Sequence, residues 1–269
     1  YQSFCYLSLE ECLLPRIEVD TKTLSQNSYQ LLHSHHRVLA VTGTPGEALY
    51  YANDLSVDNQ LTKGSHERLI KLLEEKQTPL LRCDDKTPHG LLSLMQENGH
   101  IREHFSAIID INAHFTGINN EDVAHAIVDF LVKQQSNKTH VLFFNIKNEL
   151  CALSTRPTRN IQVIGGTTPA QIQKVVRDIQ AEQYFVYYDQ SHFFGVDILL
   201  EKNAFALVLT DDEHDFSQGC TRLRGLEKEQ YLNFVVPSKT KAYNLQGLNL
   251  AVKKYQQKKL QQNIIELTI

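Results

Sequence analysis

The stretch Tyr184-Phe185-Val186-Tyr187-Tyr188-Asp189-Gln190-Ser191-His192-Phe193-Phe194-Gly195-Val196-Asp197 opens with five apolar or aromatic residues and turns polar in one step. So short an apolar run, stopped by polar residues, reads as a strand buried on both faces. Working outward, the same pattern recurs at Ile161–Ile164, His140–Phe144 and Ala107–Ile111 on one side, and at Ala204–Leu209 and Leu232–Val236 on the other. Stretches of helical length separate these runs, with starts expected near Asn119, Asn148, Thr168 and Asp215. Two starts carry clear chemistry: Asn119 precedes Glu121 and Asp122, and Thr168-Pro169 precedes Gln171. Strand and helix in alternation predict an α/β fold, a mainly parallel sheet with helices on both faces.

Upstream, Arg37-Val38-Leu39-Ala40-Val41 reads as a short strand stopped by Thr42-Gly43-Thr44-Pro45-Gly46, with a helix expected from about Glu47 to Ala52. Ser65 caps a helix carrying Leu69, Ile70, Leu72 and Leu73, and Thr87-Pro88 opens another that ends at Gly99. Leu80 and Leu81 between them suggest a short strand. The tail from Asn244 to Ile265 reads as a long, partly exposed helix whose Lys253-Lys254 and Lys258-Lys259 pairs lie on a solvated face.

Composition narrows the function classes. The chain has 269 residues, 42% hydrophobic and 22% charged, which excludes disordered and collagen-like classes. A formal net charge of -4 gives no basic footprint for phosphate backbones, so nucleic acid is not implied. The five cysteines are scattered, odd in number and without a CxxC pair, as expected of reduced thiols in a soluble, intracellular (cytoplasmic) protein. No apolar run approaches the roughly 18 to 20 residues of a membrane span, so no membrane partner is expected. The chain starts at Tyr1 and its only methionine is Met95, which suggests a piece of a longer protein.

In an open parallel sheet, ligands gather where the strands end, so the residues just after each apolar run carry the chemistry. There Thr42-Gly43-Thr44-Pro45 resembles motif III of superfamily 2 helicases, and Val141-Leu142-Phe143-Phe144-Asn145 resembles motif IV. Gly165-Gly166 lies where that family often has His-Gly, Asp189 to Asp197 resembles motif V, and Gln218-Gly219-Cys220-Thr221-Arg222-Leu223-Arg224 resembles motif VI. The resemblance covers roughly residues 37 to 237. It is closest to the helicase-like segment of very large, mostly eukaryotic proteins, some labelled ubiquitinyl hydrolases. Those proteins carry Asp-Glu-Ala-His-Thr-Arg-Gly-Thr-Asp and Gln-Ala-Cys-x-Arg-x-Arg. Ile109-Asp110-Ile111-Asn112-Ala113 and Gly117-Ile118-Asn119-Asn120-Glu121 fit the same proteins.

The resemblance implies a RecA-like lobe, related to the P-loop NTPases, that serves as the C-terminal half of an ATP-closing module. Residues 1–105 would be a remnant of the first lobe with a helical linker, 106–240 the second lobe and 241–269 a C-terminal helix. Arg222 and Arg224 would then present guanidinium groups to a γ-phosphate, with Gln218 orienting water or a phosphate oxygen. Gly195 and Asp197 would approach the nucleotide or the interlobe contact, together with Asp189. Thr42 and Thr44 would couple hydrolysis to lobe movement. ATP and Mg²⁺ are implied only with a complete first lobe. That lobe, or another domain of the parent protein, is the implied partner, and a ubiquitin-related protein is a further one.

Several positions depart from the pattern. No Gly-x-x-x-x-Gly-Lys-Ser/Thr stretch exists to cradle the β- and γ-phosphates. Gln190 stands where a carboxylate would serve as base, Phe194 replaces the family's Arg, and Val196 replaces its Thr. The expected product is a lobe that hydrolyses no ATP alone. Two other readings stay open: a degenerate scaffold or partner-binding module of a ubiquitin-related hydrolase, and a lobe that binds single-stranded nucleic acid. Cys220 or Cys151 as a nucleophile, with His192 or His140 as base, would need a thiol activated by its surroundings, which the sequence does not specify. His33, His35 and His36 lack a cysteine partner, so no metal site is expected.

Overall fold

The computed structural model describes residues 65–268, apart from Arg177, Asp178, Phe194, Gly195 and Asp197. The expected strand at 37–41, the helix after it, and Thr42 and Thr44 lie outside the described residues. Residues 69–269 form one compact unit, which takes in segments on both sides of the lobe boundary expected at residue 105.

Among the described residues, eight strands form one sheet: β1 (Leu80–Arg82), β2 (Phe105–Asp110), β3 (His140–Phe144), β4 (Leu150–Ser154), β5 (Ile161–Ile164), β6 (Tyr184–Tyr188), β7 (Phe205–Leu209) and β8 (Tyr231–Val236). Their order across the sheet is β1-β8-β7-β2-β6-β3-β4-β5. Neighbours from β1 through to β3 pair in parallel, whereas β3-β4 and β4-β5 pair antiparallel. The chain is therefore α/β with a mixed sheet.

The antiparallel flank corrects one expectation. A helix was expected to start near Asn148, but Asn148 has φ 60 and sits in the turn of the β3-β4 hairpin. Asparagine tolerates this left-handed backbone better than most residues. The Asn145 side chain closes the turn by accepting the backbone N–H of Lys147 and of Glu149 at 2.9 and 3.0 Å. Leu150 to Leu153 is then a strand, buried throughout.

Among the described residues, six α-helices accompany the sheet: α1 (Ser65–Glu75), α2 (Pro88–Glu97), α3 (Asn120–Lys133), α4 (Pro169–Val175), α5 (Ser217–Cys220) and α6 (Leu245–Thr268). Thr87, Asn119 and Thr168 cap α2, α3 and α4 through side-chain oxygens, and at Thr168 Gln171 completes a capping box.

Because strand side chains alternate, each central strand feeds two cores. Ala107, Ile109, Leu142, Val186, Tyr188, Ala206, Val208 and Phe234 point to one face, where Ile70 and Leu73 of α1, Ile172 of α4 and Leu248 and Val252 of α6 cover them. Ile108, Val141, Phe143, Phe185, Tyr187, Leu207 and Val235 point to the other, against Leu91, Leu92 and Met95 of α2 and Ile127, Val128 and Leu131 of α3. Every residue of β2 is buried, which accounts for the apolar Ala107-Ile108-Ile109 at its centre, and the polar Ser106 and Asp110 are buried with them. Along α6, Leu245, Leu248 and Val252 are buried while Lys254, Lys258 and Lys259 are exposed. Among the described residues, no helix is long and apolar enough to cross a membrane.

Candidate functional site at the carboxyl edge of the sheet

Parallel pairing brings the carboxyl ends of β7, β2 and β6 to one edge. Each of these strands runs into an aspartate: Asp211 two residues beyond β7, Asp110 at the end of β2 and Asp189 just beyond β6. Ile109 pairs with Tyr188, so Asp110 and Asp189 leave neighbouring strands side by side.

Asp110 is buried, and its two oxygens accept the backbone N–H groups of His114 (2.8 Å) and Phe115 (3.3 Å). Burial pushes its carboxyl up to about 6, against the pull of those two hydrogen bonds, and the nearby Asp189 charge adds to the rise. The bonds hold a tight loop in which Ala113 adopts φ 52, a left-handed backbone that is costly for alanine. Across the loop, His114 Nε2 lies 2.8 Å from the Asp85 carbonyl oxygen.

Asp189 anchors a second cluster. Its Oδ1 accepts the Ser191 N–H at 2.7 Å, and its Oδ2 accepts the Asn120 amide at 2.7 Å. The same Asn120 amide donates to the Phe144 carbonyl at 2.8 Å, tying the first turn of α3 to the ends of β3 and β6. His192 Nδ1 lies 2.9 and 2.8 Å from the two Asp189 oxygens, and its ring stacks on Phe144 with centroids 4.0 Å apart and planes 3° apart.

Asp211 repeats the device. Its Oδ1 accepts the N–H of Glu213 and of His214 and lies 2.7 Å from His214 Nδ1. The bond to Asp211 raises the basicity of His214 despite partial burial. Burial alone would raise the Asp211 carboxyl, but its hydrogen bonds to His214 and Glu213 outweigh that and hold it below the usual range.

The segment that resembles motif VI packs against the same edge. A Cβ on Gly219 would lie 2.5 Å from Ile111 Cδ1 and 3.3 Å from Ile109 Cγ2, so the missing side chain lets α5 sit directly on β2. Arg222 is only 3% exposed, and its Nη1 donates to the Val196 carbonyl. That bond joins the two segments from opposite sides of β2. Arg224, two residues on, is exposed at the surface. Cys220 is fully buried, and burial holds its thiol far above the range in which a thiolate forms; Cys151 is raised for the same first reason. Neither has the environment of a nucleophile.

Of the residues singled out in the sequence, Asp189, Arg222 and Arg224 thus lie on segments that meet at one edge. Gln218 lies in α5, while Gly195 and Asp197 fall outside the described residues. Sequence reasoning missed Asn120, Asp211 and His214 as site residues. A signal was present, since apolar runs end at Asp110, Asp189 and Asp211 with a histidine three or four residues after each. Among the described residues, no three His, Cys, Asp or Glu side chains converge as a metal would require. Comparison with protein-family models, curated proteins and solved structures found no match to this chain.

Proposed function

We propose that the sheet unit is the second RecA-like lobe of a superfamily 2 helicase-like module in a larger protein, and that it cannot hydrolyse ATP alone. The observation that carries this reading is the contact at the carboxyl edge. Arg222, from the segment resembling motif VI, bonds to Val196 in the segment resembling motif V across the end of β2. Strand ends of this kind are where α/β sheets bind ligands.

The burial of Arg222 divides the roles of the two arginines. Arg222 is a positioning residue that fixes one segment on the other. Arg224 is the cation placed to meet a phosphate supplied from outside the lobe. Magnesium and the β- and γ-phosphates belong to the partner lobe in this reading, because the chain has neither a phosphate-cradling loop nor a described metal cluster. When bound, the metal and nucleotide supply the phosphoryl chemistry, and this chain supplies the closing edge.

The test is steady-state ATP hydrolysis by the purified chain, by the parent protein and by the parent carrying Arg224→Ala. No turnover is expected from the chain alone. A loss on the order of 10³-fold is expected from the substitution in the parent. Turnover by the chain alone that disappears with Arg224→Ala would overturn the proposal.

A further inference from the structure

We propose that His192 is the proton-accepting group of this edge, presenting its Nε2 lone pair to a protic ligand, a water or a hydroxyl bound at the ends of β3 and β6. The inference deepens the reading of the edge as a ligand-binding face and rests on it.

The geometry leaves the imidazole little freedom. Both Asp189 oxygens lie within 2.9 Å of Nδ1, and a carboxylate can only accept, so Nδ1 carries a hydrogen. In the singly protonated ring the lone pair must then sit on Nε2. The near-coplanar stack on Phe144 fixes the tilt of the ring, and the Asn120 amide, bonded to both Asp189 and the Phe144 carbonyl, holds the carboxylate and the stacking partner in register. Among the described residues no group bonds Nε2, and the side chain keeps 14% of its surface in contact with solvent. A carboxylate behind an imidazole selects its tautomer and stabilises the imidazolium formed on proton uptake.

The other described histidines lack this combination. His114 is buried and commits Nε2 to the Asp85 carbonyl. His214 has the matching bond to Asp211 but no aromatic stack to fix its ring. In the proposed step the ligand's O–H bond breaks, an N–H bond forms at Nε2, and the positive charge on the ring is balanced by Asp189.

The chain alone suffices for a test, with no nucleotide present. Nitrogen NMR of histidine-labelled protein reads the tautomer of His192 directly, and the Nδ1–H form is expected. Diethyl pyrocarbonate, applied at a pH where the imidazoles are neutral, reads the nucleophilicity of Nε2. The nitrogen attacks one carbonyl carbon, the bond to the leaving ethyl carbonate breaks, and that group takes up the Nδ1 proton and decays to ethanol and carbon dioxide. His192 is expected to be modified at Nε2, and Asp189→Asn is expected to slow this severalfold, because the amide no longer balances the positive charge that develops on the ring as Nε2 attacks. The rate at His89, whose side chain is 63% exposed, should stay unchanged as the internal reference.

An Nε2–H tautomer in the unmodified chain overturns the proposal. So does an unmodified His192 beside a fully modified His89, or an equal rate in Asp189→Asn. If that variant does not fold, the tautomer decides alone. Failure here leaves the lobe assignment standing, because that assignment is tested by ATP turnover in the parent protein.

Discussion

The two edges of the sheet handle buried charge in opposite ways. At the amino edge, Lys138 and Glu201 form a pair 2.5 Å apart with each side chain only 2% exposed. Ser106 Oγ lies between them, receiving from Lys138 at 3.1 Å and donating to Glu201, while His104 approaches the other Glu201 oxygen at 3.3 Å. Gln230 donates to the Glu201 carbonyl and accepts the Gly225 N–H. Opposite charges meet there in a sealed pocket. At the carboxyl edge, Asp110, Asp189 and Asp211 are held instead by backbone N–H groups, an amide and imidazoles. Saturated pairing makes the first edge a structural clasp. At the second, no lysine or arginine among the described residues bonds to these three carboxylates, and the imidazoles of His192 and His214 stand against two of them instead.

The largest expected effect breaks the clasp. Glu201→Leu strands a buried ammonium and should cost about 3–5 kcal/mol in urea unfolding, whereas the double variant Lys138→Met with Glu201→Leu should recover most of it. A single substitution costing less than 1 kcal/mol would remove the distinction between the edges. The next effect, at Asp110, depends on pH. Because the folded carboxyl titrates near 6, above its ordinary value, the folded chain binds the extra proton in that window. Stability therefore falls as pH rises from about 4 to 6 and levels off beyond it. Relative to the native chain, Asp110→Asn should gain about 3 kcal/mol across that window, read from urea titrations at a series of pH values. A pH-independent difference would show that Asp110 ionises normally.

The smallest effect lies at His214. Its raised basicity contributes stability that is present below the ordinary imidazole range and is lost as pH rises through the folded value. The side chain is 38% exposed, so solvent screening should limit the loss in His214→Ala to a fraction of a kcal/mol at pH 6, vanishing by pH 9. A loss as large as that at Glu201 would make the carboxyl edge a second clasp.

Much of this layout was legible in the chain itself. β3, β5 and β6 occupy the expected spans; in β3 and β6 a short buried strand leaves an abrupt boundary in hydrophobicity, whereas β5 is an edge strand in which only Ile164 is buried. α3 and α4 begin where Asn119 and Thr168 offer caps. The β4 strand was not legible. Leu150-Cys151-Ala152-Leu153 is too short for periodicity to separate strand from buried helix, and the left-handed turn at Asn148 is visible only in the backbone. Nor did any local pattern foretell the Lys138–Glu201 pair, whose members stand 63 residues apart and meet only through the parallel crossing of strands. At the candidate site, the sequence pointed to Asp189 and to the 218–224 segment, but not to the burial of Arg222 beside an exposed Arg224. That contrast goes with the close approach of α5 to β2, which Gly219 permits and which no local pattern announces.

Asn120 carries one more consequence. A single amide, seated in the opening turn of α3, grips the terminus of one strand and the carboxylate of another. Such a linkage makes the opening turn of α3 a shared fastening: any displacement there bears on both strand ends, and on the imidazole they hold, at once.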